Sequence, residues 1–102
     1  MTNAHSMKPV RVQRRRVKGY RMPPNTVYVG RPTKWGNPFK GGEDGTRKEC
    51  VANYRHFMGY QILIHEEIRR ELRGKNLACF CKLTEPCHVD VLLEMANPEA
   101  TP

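Results

Sequence analysis

Not one aspartate or glutamate occurs in the first 42 residues, a stretch that carries ten lysines and arginines. From Glu43 onward eight basic residues face ten acidic ones, so the formal charge of +8 belongs to the front of the chain. That split excludes a uniformly basic histone-like chain and an acidic interaction tail. It directs the front half toward a polyanion: nucleic acid, a nucleotide or an anionic membrane surface. Long apolar runs are missing too. None approaches the ~20 residues of a membrane span, and the polar segment Met1 to Met7 is followed by no apolar stretch of signal-peptide type. The expectation is an intracellular, cytoplasmic protein with no membrane partner. Paired C-x-x-C knuckles are absent, although four cysteines are present. In a reducing compartment such cysteines serve as metal ligands or reactive thiols more readily than as disulfides. There is a single tryptophan, no internal repeat and no low-complexity tract beyond Arg14-Arg15-Arg16. At 102 residues and 38% hydrophobic content the chain has room for one small domain, whose core a metal would help to hold.

What is present orders itself along the chain. Residues 1–7 and 98–102 read as flexible ends, leaving one domain over 8–97. Lys8 to Met22 forms a basic arm in which Val10 and Val12 alternate with cations, predicting a short strand with one wet, cationic face. Pro23-Pro24-Asn25 turns the chain, and Thr26 to Val29 is β-branched and aromatic, a strand pattern. Gly30 to Gly45 is too rich in Gly and Pro to be regular; loops of this length serve function or are disordered. Thr46-Arg47-Lys48-Glu49 is a capping box, and Cys50, Tyr54, Phe57 and Met58 follow at helical spacing as far as Gly59. A second helix is predicted near Gln61 to Arg73, with Ile64, Ile68 and Leu72 as its stripe, Glu67 and Glu71 on another side and Gly74 as C-cap. Asn76 to Cys81 reads as a buried strand, and His88 to Ala96 as a third helix with Val89, Leu92, Leu93 and Ala96 on one face. The predicted fold is a small single α/β domain, a short central sheet of about three or four strands flanked by about three helices.

The densest chemistry is Cys79-Phe80-Cys81, five residues, then Cys87-His88. Cys79 and Cys81 project to one face of a strand, and Cys87 and His88 start a helix at the carboxyl end of the sheet, where open α/β folds place their ligands. Three readings stand side by side. Cys79, Cys81, Cys87 and His88 can hold zinc as a tetrahedral Cys₃His site. Cys87, at a helix N-terminus, can be a reactive thiolate, with His88 or Asp90 as its acid or base. Plainer still, Cys79 and Cys81 are small buried hydrophobes and Asp90 a first-turn acid favoured by the helix dipole. A Cys87–His88 dyad is weak on a helix, since adjacent residues diverge. Cys50 reads as core. His65-Glu66-Glu67 fits the first half of the zinc-deaminase pattern, but Pro86-Cys87-His88-Val89 lacks the second half, and His65 reads as a solvated surface residue.

Gly30 to Phe39 offers parts for gripping a nucleotide: Trp35 to stack on a base, Arg31 and Lys34 for phosphate, Asn37 for a base edge. With equal weight, Trp35 and Phe39 tuck the loop onto the core while Gly and Asn make its turns. Arg14, Arg15, Arg16, Lys18 and Arg21 are the phosphate contacts expected of the arm, against the plainer role of a solvated tail.

Taken in order, Val27 to Pro32, Lys34-Trp35-Gly36-Asn37-Pro38-Phe39, Leu77 to Cys81, Pro86-Cys87-His88 and Asp90 to Leu93 closely resemble the domain of unknown function 4326 family of phages and bacteria. Val12 to Arg16 and Lys18 to Pro23 fit longer members, so the resemblance spans residues 10 to 97. It implies a phage or bacterial intracellular protein (in the host cytoplasm if phage-encoded) and a pocket built from the W-G-N-P loop and the cysteine cluster. It assigns no activity. The leading expectation is a protein that binds a nucleotide, nucleobase or nucleic-acid end, with or without modifying it in a Cys87- or metal-water-dependent step. The alternatives are a non-catalytic nucleic-acid or host-protein binding module with a structural zinc, and an accessory protein whose arm docks an acidic host surface.

Overall fold

The computed structural model describes residues 8–98; the expected loose ends, except Pro98, lie outside them. Three strands, β1 (Arg11–Gln13), β2 (Thr26–Tyr28) and β3 (Asn76–Cys79), and three helices, α1 (Arg47–Gly59), α2 (Ile62–Leu72) and α3 (His88–Ala96), follow the order read from the sequence. The sheet is parallel throughout, in the order β1-β3-β2, so the last strand in sequence is the central one. This is a small α/β domain. Leu77, Ala78 and Cys79 are all buried, as expected of a strand covered on both faces.

Local signals explain the helices. The Thr46 hydroxyl accepts from the Glu49 amide at 3.1 Å, and the Glu49 carboxylate accepts from the Thr46 amide at 2.7 Å. This reciprocal capping box starts α1, which buries Cys50, Tyr54 and Met58. Helix α2 buries Ile68 and Leu72 and gives way to Gly74, whose φ of 77° favours a residue without Cβ. Helix α3 lies against β3 and β1 and packs on both other helices. Its Val89, Val91, Leu92 and Ala96 join Val29, Leu77, Tyr54 and Met58 in one core.

Register decides which side chains share a face. Arg11 pairs with Leu77 and Thr26 with Asn76, so Val27 also stands level with Leu77. With side chains alternating at period two, Arg11, Leu77, Cys79 and Val27 belong to the helix face. Val12, Ala78 and Tyr28 belong to the other. The expected wet cationic face of β1 is therefore reversed at Arg11. Its side chain is 8% exposed, while Val10 is 53% exposed. A strand edge of alternating valine and arginine carries no information on which set faces in; the acceptors opposite it decide. They are Asp90 Oδ2 at 2.9 Å and the Lys82 and Glu85 carbonyls at 2.6 and 2.8 Å, all bonded by the one guanidinium.

Candidate functional site

The carboxyl ends of β2 and β3 open into a cavity of about 350 Å³, within the range of small-molecule sites. Its wall includes Cys79, Cys81, Cys87 and His88, three arginines (Arg16, Arg31 and Arg47) and the rings of Tyr28 and Phe80. Strand β3 delivers Cys79 from the helix face. The turn Lys82 to Glu85, pinned by Arg11, carries the chain from Cys81 back to Cys87, the N-cap of α3.

The three sulfurs lie within 4.8 Å of one another, Cys79 and Cys87 being 3.0 Å apart. Thiolates around a zinc ion at Zn–S ~2.3 Å stand about 3.8 Å apart, so the cluster needs only a sub-ångström adjustment at that pair to seat an ion. His88 stands beside the cluster, outside the group of ligand atoms that come within 4.8 Å of one another. Its Nε2 lies 2.9 Å from the Val29 carbonyl and its Nδ1 3.6 Å from Cys87 Sγ. Of the expected Cys₃His set, the structure gathers the three cysteines. The contact between Cys87 and His88 also corrects the expectation that neighbours diverge. Cys87 has extended backbone (φ −150°, ψ 147°) and stands outside the helical geometry that separates adjacent side chains.

Cys87, expected as a reactive thiol at a helix N-terminus, is buried. It is 2% exposed, and its pKa is raised by hydrogen bonds to Cys79 and Cys81 together with burial. The group held below the ordinary thiol range is Cys81, which accepts from Cys79 and Cys87 and from the Arg47 guanidinium at 3.3 Å. Cys79 is raised in turn by its bond to Cys81. Burial lowers the pKa of His88, which favours neutral imidazole. Asp90 is not on the cavity wall; its half-exposed carboxylate pairs with Arg11 through Oδ2.

The tryptophan loop divides. Trp35 is 4% exposed, part of the core, and its carbonyl accepts from the Tyr54 hydroxyl at 2.7 Å. It is the loop's anchor, not a stacking platform. Lys34 lies over the Trp35 ring and is paired with Glu67 and Glu71 of α2. It is thus committed away from phosphate, and the acidic side of α2 acquires its partner. Asn37 borders the cavity, but both its groups hold the loop: Nδ2 donates to the Cys50 carbonyl and Oδ1 accepts from the Phe39 amide. Arg31 remains: its carbonyl accepts from the Tyr28 hydroxyl at 2.6 Å, while its guanidinium has no hydrogen bond or ion pair among the described residues, and it is exposed on the cavity wall. His65, read as solvated, is half-buried and contacts the Met58 carbonyl at 2.8 Å near the end of α1.

The basic arm also divides. Arg14 lies over the Tyr28 ring at 4.7 Å, and Arg16 lies over the Phe80 ring at 4.0 Å. Tyr28 and Phe80 meet edge to face, with centroids 5.7 Å apart. Arg15, Lys18 and Arg21 are exposed and lie off the cavity. Tyr28, Phe80 and Arg47 are the residues that sequence reasoning missed. The first two are 52 positions apart, and only the β2–β3 register puts them on one face beside Arg14.

Fold and site together define a small parallel α/β protein with a thiol cluster in an arginine-walled cavity at the carboxyl edge of its sheet. Among the described residues no helix is long and apolar enough to cross a membrane. The chain belongs to the family described as domain of unknown function (DUF4326), whose model matches residues 12–98. No curated protein and no solved structure matches it.

Proposed function

We propose that this cavity binds a nucleotide, with zinc held beside it by Cys79, Cys81 and Cys87. The observation that carries the reading is the meeting, around one cavity, of three guanidinium groups, the rings of Tyr28, Phe39 and Phe80, and three clustered thiols. Arginine forks match phosphate oxygens in geometry and charge. The layer of Arg14 and Arg16 over Tyr28 and Phe80 offers flat cationic and aromatic surfaces on which a base stacks. A cavity of about 350 Å³ suits one nucleotide and not a duplex. Arg15, Lys18 and Arg21, exposed outside it, supply the contacts a longer strand would need if that nucleotide were its end.

Titration calorimetry with nucleoside monophosphates, nucleosides and short single strands tests this. Phosphate-bearing ligands bind, nucleosides bind much more weakly, and Arg31→Ala weakens binding about tenfold, the equivalent of one lost contact of about 1.4 kcal/mol. A strand bound more tightly than its terminal nucleotide, with affinity falling steeply in salt, assigns the arm to nucleic acid. Absence of binding by every phosphate-bearing ligand overturns the proposal.

A further inference from the structure

Resting on the reading that the three cysteines hold a metal, we infer that the centre is open. The chain supplies three thiolates, and the fourth coordination position belongs to an oxygen of the anion in the cavity, or to water when the anion is absent. A closed, structural zinc site has four protein ligands, whereas a reactive one keeps three and leaves a position free. Among the described residues, Cys79, Cys81 and Cys87 are the only group of three or more metal-capable side chains.

No other metal-capable side chain among the described residues joins the three sulfurs within 4.8 Å. His88 bonds the Val29 carbonyl through Nε2, and its Nδ1, though 3.6 Å from Cys87 Sγ, stands outside that group. Asp90 pairs with Arg11 and is not on the cavity wall. Cys50 borders the cavity but lies outside the group, His65 contacts the Met58 carbonyl, and His56 packs on Tyr60.

Placement agrees with elimination. All three thiols line the cavity, so the side of the ion they leave uncovered faces the space where the ligand sits. Arg47 donates to Cys81 Sγ at 3.3 Å, a contact around the ligand shell of the kind that orients a thiolate without occupying the metal. Arg16, Arg31 and Arg47 make that space favourable for an anion. A phosphate oxygen held by these arginines is thus the natural fourth donor, and the ion a Lewis acid in contact with the bound group, not a staple remote from it.

Cobalt(II) replaces zinc in the reduced, full-length protein, and its visible ligand-field bands report the fourth ligand. Inorganic phosphate and a nucleoside monophosphate are each titrated into the cobalt protein, with a nucleoside as the phosphate-free arm. The expected result is a saturable shift of the visible bands with both phosphate compounds and none with the nucleoside. Zinc-edge X-ray absorption of the wild-type protein is expected to give three sulfur donors and one oxygen. Bands that no compound shifts, or absorption showing an imidazole or a fourth sulfur, overturn the open site while leaving the metal reading intact. A shift by the nucleoside alone overturns the phosphate-oxygen assignment. Failure of the protein to take up cobalt, seen as no thiolate charge-transfer band, sinks the metal reading and the open site with it.

Discussion

Replacing Arg11 by methionine removes one buried guanidinium and with it three hydrogen bonds at 2.6 to 2.9 Å. The methionine fills much of the space left by the arginine stem, so the loss is polar more than a matter of volume. The Asp90 carboxylate is 52% exposed and regains water, so that pairing contributes little. The Lys82 and Glu85 carbonyls accept from a charged donor, and such bonds contribute ~1.5–3 kcal/mol each. Allowing for partial rehydration of the turn, the expected loss is about 3 kcal/mol. For a domain of this size that is a fall in Tm of roughly 12–24 °C. Equilibrium urea denaturation measures it, with fluorescence of the buried, single Trp35 as the probe. Arg11→Lys, which keeps the charge but not the fork, should recover about half. A loss below about 1 kcal/mol for Arg11→Met would falsify the view that this clamp holds the Cys81–Cys87 turn in place.

Three further outcomes rest on particular bonds. Thr46→Ala should destabilise the fold by about 1 kcal/mol in the same urea assay, the usual worth of an N-cap. Bonds from the Thr46 backbone and then its hydroxyl hold Glu49 below the ordinary carboxylate pKa of 4.5, so the unfolded chain binds that proton more readily. The contribution of the cap is thus complete above about pH 4.5 and is lost as pH falls through the lower folded value; Glu49→Gln should flatten that part of a stability–pH curve. Tyr54→Phe leaves the buried Trp35 carbonyl without its 2.7 Å donor and should cost about 1–3 kcal/mol, with a shift in Trp35 emission as the loop anchor loosens.

Much of the architecture was legible because local chemistry sets it. The capping box at Thr46 and Glu49, the apolar stripe through Ile68 and Leu72, and Gly74 are all short-range signals, and each helix lies where they put it. The cysteine cluster was legible for a similar reason: a strand feeding a helix brings its two ends together. What stayed hidden depends on register and long-range partners. Arg11 looked like part of a wet face because its acceptors lie 71 to 79 residues away. Lys34 looked free because Glu67 and Glu71 are reached only once α2 has packed. Trp35 was equally suited to stacking or anchoring, and burial decides for the anchor. Tyr28 and Phe80, which stand at the cavity, sat inside strand-like stretches as ordinary β-formers. The charge that opened the reading is correspondingly divided. Arg11 and Lys34 serve the fold, Arg14 and Arg16 stack on rings, and Arg31 lines the cavity with a guanidinium that has no hydrogen bond or ion pair among the described residues.

The metal content of the protein purified under reductant, counted by elemental analysis for wild type and for Cys81→Ser, tests the central claim most directly. Cys81 is half-buried, so its serine variant should fold while the cluster loses a ligand. The expected result is one zinc per wild-type chain, with most of it lost from the variant. A wild-type protein that is free of zinc, and that takes up none when zinc is supplied, contradicts the account.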